Sequence, residues 1–418
     1  MLLLSIIILL SLRSVECHLN NACKTYYDYL TIFVNPNCFY IPDNNDDVLN
    51  IIKRQTGVGE AHHVSTEDGY VLRLFRIPRQ NPKEVILLQH GISQDAKAWV
   101  SQNNDSIAFL LWKSNYDIWL SNSRGTFYSQ NHVSYKSSSE EFWNFTFHEK
   151  GYYDNKAVIE YIKTITKVSK IVYVGHSGGT TSSFVYASTR PEEAADSLKL
   201  IVALAPVTFL KYYKTPLIET LFRSVQFLMK NNLHKQFRVY SVFHHNSLFF
   251  KLVRFINRFF VFKKVIIYLS SLFLGWTPHE FDPNYVNLMV DQFGSAVSMK
   301  NLAHFYQLAD AEKFQYYDYG EKENLKHYGT EQPPTYPLQN IKTPILLVYS
   351  VNDILSQEQD VEFLYSILPP EAKVCGKMKI NGLNHGDFYY GVHRNEMIYN
   401  KIIDLLEDQV SNCLNIQN

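Results

Sequence analysis

Apolar and polar positions change their spacing several times along the chain, and those changes mark out its elements. Asp46 to Gln55 reads as a short helix, and Glu60 to Ile77 as two strands around the turn Glu67-Asp68-Gly69. Glu84 to Gln89, Tyr116 to Leu120, Ile171 to Val174, Lys199 to Leu204 and Pro344 to Tyr349 are short apolar runs, the pattern of strands buried on both faces. Helical patterns separate them, notably Ser106 to Lys113 and Tyr153 to Thr166, and Lys377 to Ile380 with Asn395 to Asp408 supply a last strand and a terminal helix. Strands that alternate with helices imply right-handed crossovers, so an α/β fold is predicted, with a mostly parallel central sheet and helices on both faces.

Between the fourth and fifth of those runs the character changes. Thr220 to His279 contains no Asp or Glu, while cations such as Arg223, Lys251, Arg254 and Lys264 are scattered among Phe, Leu and Tyr. The longest clean apolar run there, Val265 to Trp276, is too short to span a bilayer. One reading packs apolar helix faces on the body with the cations solvated outside. A sharper one makes residues 208–310 a basic helical cap over the carboxyl ends of the sheet, touching a lipid–water interface or fatty acyl chains. The two are compatible, and they leave 18–207 and 311–418 as the core.

Length and charge narrow the picture further. A chain of 418 residues holds one large domain with an insertion, or two domains. Forty Lys plus Arg balance forty Asp plus Glu, so no global field favours nucleic acid. Met1 to Leu12 is apolar and is followed by Ser14-Val15-Glu16-Cys17, which reads as a secretory signal peptide over residues 1–17 and predicts a secreted or lysosomal protein; with no Lys or Arg ahead of the apolar run, an uncleaved anchor is the alternative. Asn104 and Asn144 begin glycosylation sequons, which agrees with export. Four cysteines then remain: Cys23 with Cys38 would close a short loop, leaving Cys375 and Cys413 as free thiols or a second bridge. None has metal-ligand spacing with histidine, so neither a metal nor a cofactor is assigned.

The candidate chemistry centres on Gly175-His176-Ser177-Gly178-Gly179. A strand turning abruptly into a helix needs small residues at the corner, and it lifts the Ser177 hydroxyl clear of the sheet. His385, in a loop after the last strand, is the candidate base. Asp353, directly after the run ending at Tyr349, is the candidate orienting acid, with Asp387 as its rival. The backbone N–H groups of Gly178 and Ile92 are the candidate oxyanion donors. The order Ser177, Asp353, His385 is that expected of an α/β-hydrolase.

Several further segments carry a resemblance: His62 to Tyr70, Leu88-Gln89-His90-Gly91 with Trp99, Tyr116 to Gly125, Glu141-Phe142-Trp143, Tyr173 to Ser177, Ala203 to Val207, Lys313 to Gly320, and Asn384-His385 with Asp387-Phe388. In these the chain resembles the acid lipase family of gastric and lysosomal acid lipases, over nearly its whole mature length. The resemblance implies an α/β-hydrolase fold, a Ser177 nucleophile with Asp353 and His385, an oxyanion hole including Ile92, and a helical cap before the last strands. It departs from the family pattern where Gly178 stands for Gln, Ile92 for Leu and Gly386 for a larger apolar residue. The cap cysteines of mammalian members are also missing. The expected function is a serine lipase hydrolysing acylglycerols or sterol esters through an acyl-enzyme. The alternatives are a lipid-binding member with weak or no activity, and a carboxylesterase for small soluble esters.

Overall fold

In the computed structural model, which describes residues 19–409 apart from 45, 101, 214, 258–259 and 293, the apolar runs become strands of one nine-stranded sheet. Its strands are β1 (Glu60–Ser65), β2 (Tyr70–Ile77), β3 (Val85–Gln89), β4 (Asp117–Leu120), β5 (Ile171–His176), β6 (Leu198–Leu204), β7 (Ile345–Ser350) and β8 (Lys377–Ile380). They lie in the order β1-β2-β4-β3-β5-β6-β7-β8, and the two-residue strand Asn131–His132 pairs with β2. The β1–β2 and β2–β4 pairs are antiparallel and the other pairs along that order are parallel. The predicted signal peptide and Cys413 lie outside the described residues.

The helices that bear on the site are α1 (Val48–Thr56), α2 (Ile107–Lys113), α3 (Lys156–Thr166), α4 (Gly178–Thr189), α5 (Pro216–Lys230), α6 (Leu248–Ile256), α7 (Phe260–Leu274), α8 (Met299–Ala311) and α9 (Glu358–Ile367). Their ends differ from the predicted bounds by local chemistry. Asp47 caps α1 by accepting a bond from the Asn50 N–H, and Gly57, in the left-handed region, stops it. The helix expected from Tyr153 begins at Lys156 because Lys150–Asn155 winds as a π-turn, and the terminal helix alternates π and α turns over 395–409.

Strand alternation divides the interior in two. On one face Leu87, Trp119, Tyr173, Ile201 and Leu347 join the core that α3 and α4 cover. On the other, Ile86, Ile118, Val172, Val202 and Leu346 join the core that α1 and α2 cover. The chain between β6 and β7 is not a separate globule: Phe222 and Val225 of α5 and Leu302 and Phe305 of α8 belong to the first of these cores. Two ends of α7 matter below. Its start meets an N-terminal loop closed by the Cys23–Cys38 disulfide, and its end meets the loop that carries His385. Cys375 is also disulfide-bonded, so the bridge holds over the free thiol for that residue. Among the described residues no helix is long and apolar enough to cross a membrane.

Candidate active site

β5 delivers Ser177 to its corner under tight steric limits. Ser177 has φ 53° and ψ −121°, a conformation that L-residues adopt only when their surroundings enforce it. The enforcement is close packing. A Cβ on Gly179 would lie 2.5 Å from the Gln89 carbonyl oxygen of β3, and one on Gly175 would lie 3.0 Å from the Gly179 carbonyl oxygen. The Ser177 N–H donates to the Leu204 carbonyl of β6 at 3.0 Å, so both neighbouring strands hold the corner.

Parallel neighbours end on the same side, and that brings distant residues to Ser177. The loop after β8 places His385 Nε2 2.7 Å from Ser177 Oγ, and the loop after β7 places Asp353 Oδ2 2.7 Å from His385 Nδ1. With a carboxylate on Nδ1 the imidazole proton sits there, leaving Nε2 to accept from the hydroxyl. Asp353 is fully buried, and its Oδ1 accepts from the N–H groups of Leu355 and Ser356, both at 2.8 Å. Asp387 points elsewhere: its Oδ2 accepts from the Asn384 N–H at 2.7 Å and the Thr277 hydroxyl at 2.5 Å. Burial holds its carboxyl up at about 7.

The two oxyanion candidates come from separate loops that touch. A Cβ on Gly178 would lie 3.3 Å from the Ile92 nitrogen, so the glycine leaves room beside that donor. Among the described residues, neither the Ile92 nor the Gly178 N–H donates to another group of the chain. Both therefore remain available to an acceptor outside it. A side chain at 178, such as the glutamine of the family pattern, would require the Ile92 backbone to give by a few tenths of an ångström.

Two histidines outside the sequence-based set brace the site. His176 Nε2 donates to the His385 carbonyl at 3.0 Å, and the two rings lie 4.9 Å apart. Burial and the neighbouring His385 hold His176 well below the usual imidazole range, so it stays neutral. His90 donates from Nδ1 to the Gly91 carbonyl at 2.7 Å and accepts the Ser123 N–H at Nε2, fixing the loop that carries Ile92. Burial lowers it to about 3. Their signal was present in sequence, since each adjoins a motif residue, but their partners are carbonyls and amides that side-chain patterns do not reveal.

The His385 loop is also tied to α7. The His385 N–H donates to the Leu274 carbonyl at 3.0 Å, Asn384 Nδ2 donates to the Gly275 carbonyl at 3.1 Å, and Asn384 Nδ2 reaches Thr277 Oγ1 at 2.7 Å. A Cβ on Gly386 would lie 2.9 Å from Leu274 Cδ1, the end of a flexible side chain, so a larger residue there would make the Leu274 side chain shift.

Comparison with known proteins agrees with the architecture. The chain matches the family described as alpha/beta hydrolase fold over residues 84–375, and a partial alpha/beta-hydrolase lipase region over 49–103. It is 32% identical to human lipase member K, covering 89% of this chain and 93% of that one. It is 32% identical to bovine gastric triacylglycerol lipase (88% and 92%) and 31% identical to lipase 1 of Drosophila melanogaster (87% and 80%). A crystal structure of a soluble variant of monoglyceride lipase from Saccharomyces cerevisiae superposes with a TM-score of 0.55 at 14% identity, covering 85% of this chain and 97% of that one, a likeness of fold. The chain belongs to the acid and gastric lipase family, carboxylic ester hydrolases built on the α/β-hydrolase fold.

Proposed function

We propose that the protein is a serine lipase that hydrolyses carboxylic esters of neutral lipids, acylglycerols or sterol esters, through an acyl-enzyme. The observation that carries this is the continuous chain Ser177 Oγ, His385 Nε2, His385 Nδ1, Asp353 Oδ2, with 2.7 Å at each hydrogen bond, beside two uncommitted backbone N–H groups. His385 takes the Ser177 proton as Oγ attacks the ester carbonyl, and Asp353 holds the resulting imidazolium. The tetrahedral oxyanion accepts from the Gly178 and Ile92 N–H groups. His385 then protonates the departing alcohol oxygen. Water enters, gives a proton to His385 and attacks the acyl carbon; the carboxylic acid leaves as Ser177 regains its proton.

Residues 208–310 act in this reading as a cap between core segments 18–207 and 311–418, presenting basic and apolar residues to the lipid–water interface. Residues 1–17 serve as a signal peptide to a secreted or lysosomal destination. The exposure of Asn104 and Asn144 suits glycosylation, and a mass shift on treatment with an N-glycosidase checks it. The decisive experiment compares the wild type with Ser177→Ala on emulsified trioleoylglycerol, a sterol ester and a soluble short-chain ester. The variant should keep its circular dichroism and lose at least about a thousandfold in kcat. Undiminished turnover rejects the nucleophile, and activity confined to the soluble ester rejects the lipase in favour of a carboxylesterase.

A further inference from the structure

The N-terminal loop closed by Cys23–Cys38 is built inside out. Cys23, Tyr29, Ile32 and Cys38 form a small buried cluster against which Phe260 of α7 packs. Tyr26 packs back on the body, its hydroxyl donating to the Phe281 carbonyl at 2.8 Å, but four apolar residues of the loop point to solvent: Tyr27 is 69% exposed, Leu30 64%, Phe33 64% and Val34 84%. A loop of this size has no room for a core that could bury them, and the disulfide fixes them outward.

The loop is fastened to α7. Tyr27 stacks on Phe260 with ring centres 5.6 Å apart, Lys264 Nζ lies 5.3 Å from the Tyr27 ring centre, and Lys263 Nζ lies 4.1 Å from that of Tyr29. Along α7, Phe262, Val265, Leu269 and Leu272 are exposed, and Trp276 just beyond its end continues them. Their spacing of three, four, three and four residues places them on one stripe. Loop and stripe therefore flank one helix, and the far end of that helix carries the bonds to His385.

Charge selects the occupant. Lys24 of the loop and Lys264 of α7 are exposed, and Thr220 to His279 offers no acid to oppose them. The one acid of the loop, Asp28, accepts bonds from Thr25, Asn35 and Asn37 within the loop itself. Apolar groups with cations beside them, on an element that cannot span a bilayer, suit a surface that is apolar below and anionic above.

We infer that the Cys23–Cys38 loop, clamped to α7, is an anchor that docks the protein on a lipid surface bearing anionic headgroups. It rests on the lipase reading and adds to it where the substrate surface is met and which headgroup charge it prefers. The fifteen residues of α7 make it roughly 22 Å long, so the anchor stands clear of the reacting atoms while fixing their orientation to the surface.

The test is co-sedimentation of the full chain with vesicles of phosphatidylcholine, with and without phosphatidylglycerol, beside turnover of a soluble short-chain ester. The wild type should bind the mixed vesicles more tightly. The triple variant Leu30→Ser, Phe33→Ser, Val34→Ser should lose about tenfold or more in partitioning, with soluble-ester turnover unchanged; Val34→Asp alone is the fallback if the triple variant misfolds. Lys24→Glu with Lys264→Glu should abolish the preference for phosphatidylglycerol. Equal binding by the wild type and the loop variants overturns the anchor. So does a wild-type dimer in sedimentation velocity that the triple variant lacks, which makes a second copy the occupant. Vesicle binding that needs residues 1–17 cut away also overturns it, since that segment is then the occupant. Loss of soluble-ester turnover in Ser177→Ala tests the catalytic reading separately, because that variant should bind vesicles normally.

Discussion

His385 stands between two carboxylates, one close in sequence and one distant, and the distant one makes the bond to its ring. Asp353 reaches Nδ1 because β7 and β8 end side by side; Asp387 turns toward Thr277 and its own loop. Asp353→Asn should leave the fold intact and reduce kcat about 10³- to 10⁴-fold, because an amide on Nδ1 favours the wrong tautomer; a loss under tenfold in steady-state kinetics contradicts the assignment. Asp387 should matter for stability instead. Its carboxyl keeps a proton up to about pH 7 when folded and gives it up near 3.8 when unfolded. The folded state therefore binds the extra proton, and the group favours folding most below pH 3.8, a contribution lost as pH rises toward 7. At about 1.4 kcal/mol per pKa unit the swing is at most about 4 kcal/mol. Asp387→Asn keeps an acceptor for both bonds and cannot ionise, so its melting temperature should fall less than that of the wild type between pH 4 and 7. Parallel melting curves across that window refute the burial argument.

At the scale of elements, two contacts position the site, and only one was legible beforehand. The glycines around Ser177 announce a close approach, and the structure identifies it as the first turn of α4 against the end of β3. Gly179→Ala must push two backbones apart and should cost about 1–3 kcal/mol in denaturant unfolding. A neutral result means that the corner is slacker than its geometry. The tie between α7 and the His385 loop was not legible, because its partners are carbonyls at a helix end and side chains far apart in sequence. Thr277 is its hub: the hydroxyl bonds both Asp387 and Asn384. Thr277→Val keeps the shape and takes one of two partners from both Asp387 Oδ2 and Asn384 Nδ2, so it should destabilise by about 1–3 kcal/mol and lower kcat on a soluble ester more than it changes KM. Unaltered kinetics would separate α7 from the placement of His385.

For the whole molecule, the apolar runs and intervening helical periods were enough to foresee a mostly parallel sheet, since strands buried on both faces and right-handed crossovers leave few other arrangements. That helices of the insertion pack apolar faces on the body was one of its two readings, and α5 bears it out, sharing with α8 the core of the sheet; the pattern could not say which helices do so, because amphipathic helices look alike whether they cover a body or one another. If the region between β6 and β7 meets lipid as proposed, hydrolysis of a partly soluble triglyceride should rise steeply once it exceeds its solubility and forms an emulsion. A smooth saturation curve through that point, followed by titrimetry, speaks for an esterase of dissolved substrates.

The strands, the corner at Ser177 and the basic character of the insertion were legible in the chain because each depends on spacing or composition within a short stretch, and the order of the candidate residues Ser177, Asp353 and His385 could be read directly along it. Folding settles what the chain leaves open: Asp353 rather than Asp387 bonds the His385 ring, His176 and His90 brace the loops, and α7 joins an exposed disulfide loop to the histidine. Those outcomes depend on which distant backbone groups meet, and a hydrogen bond to a carbonyl leaves no mark on the identity of the residue that supplies it.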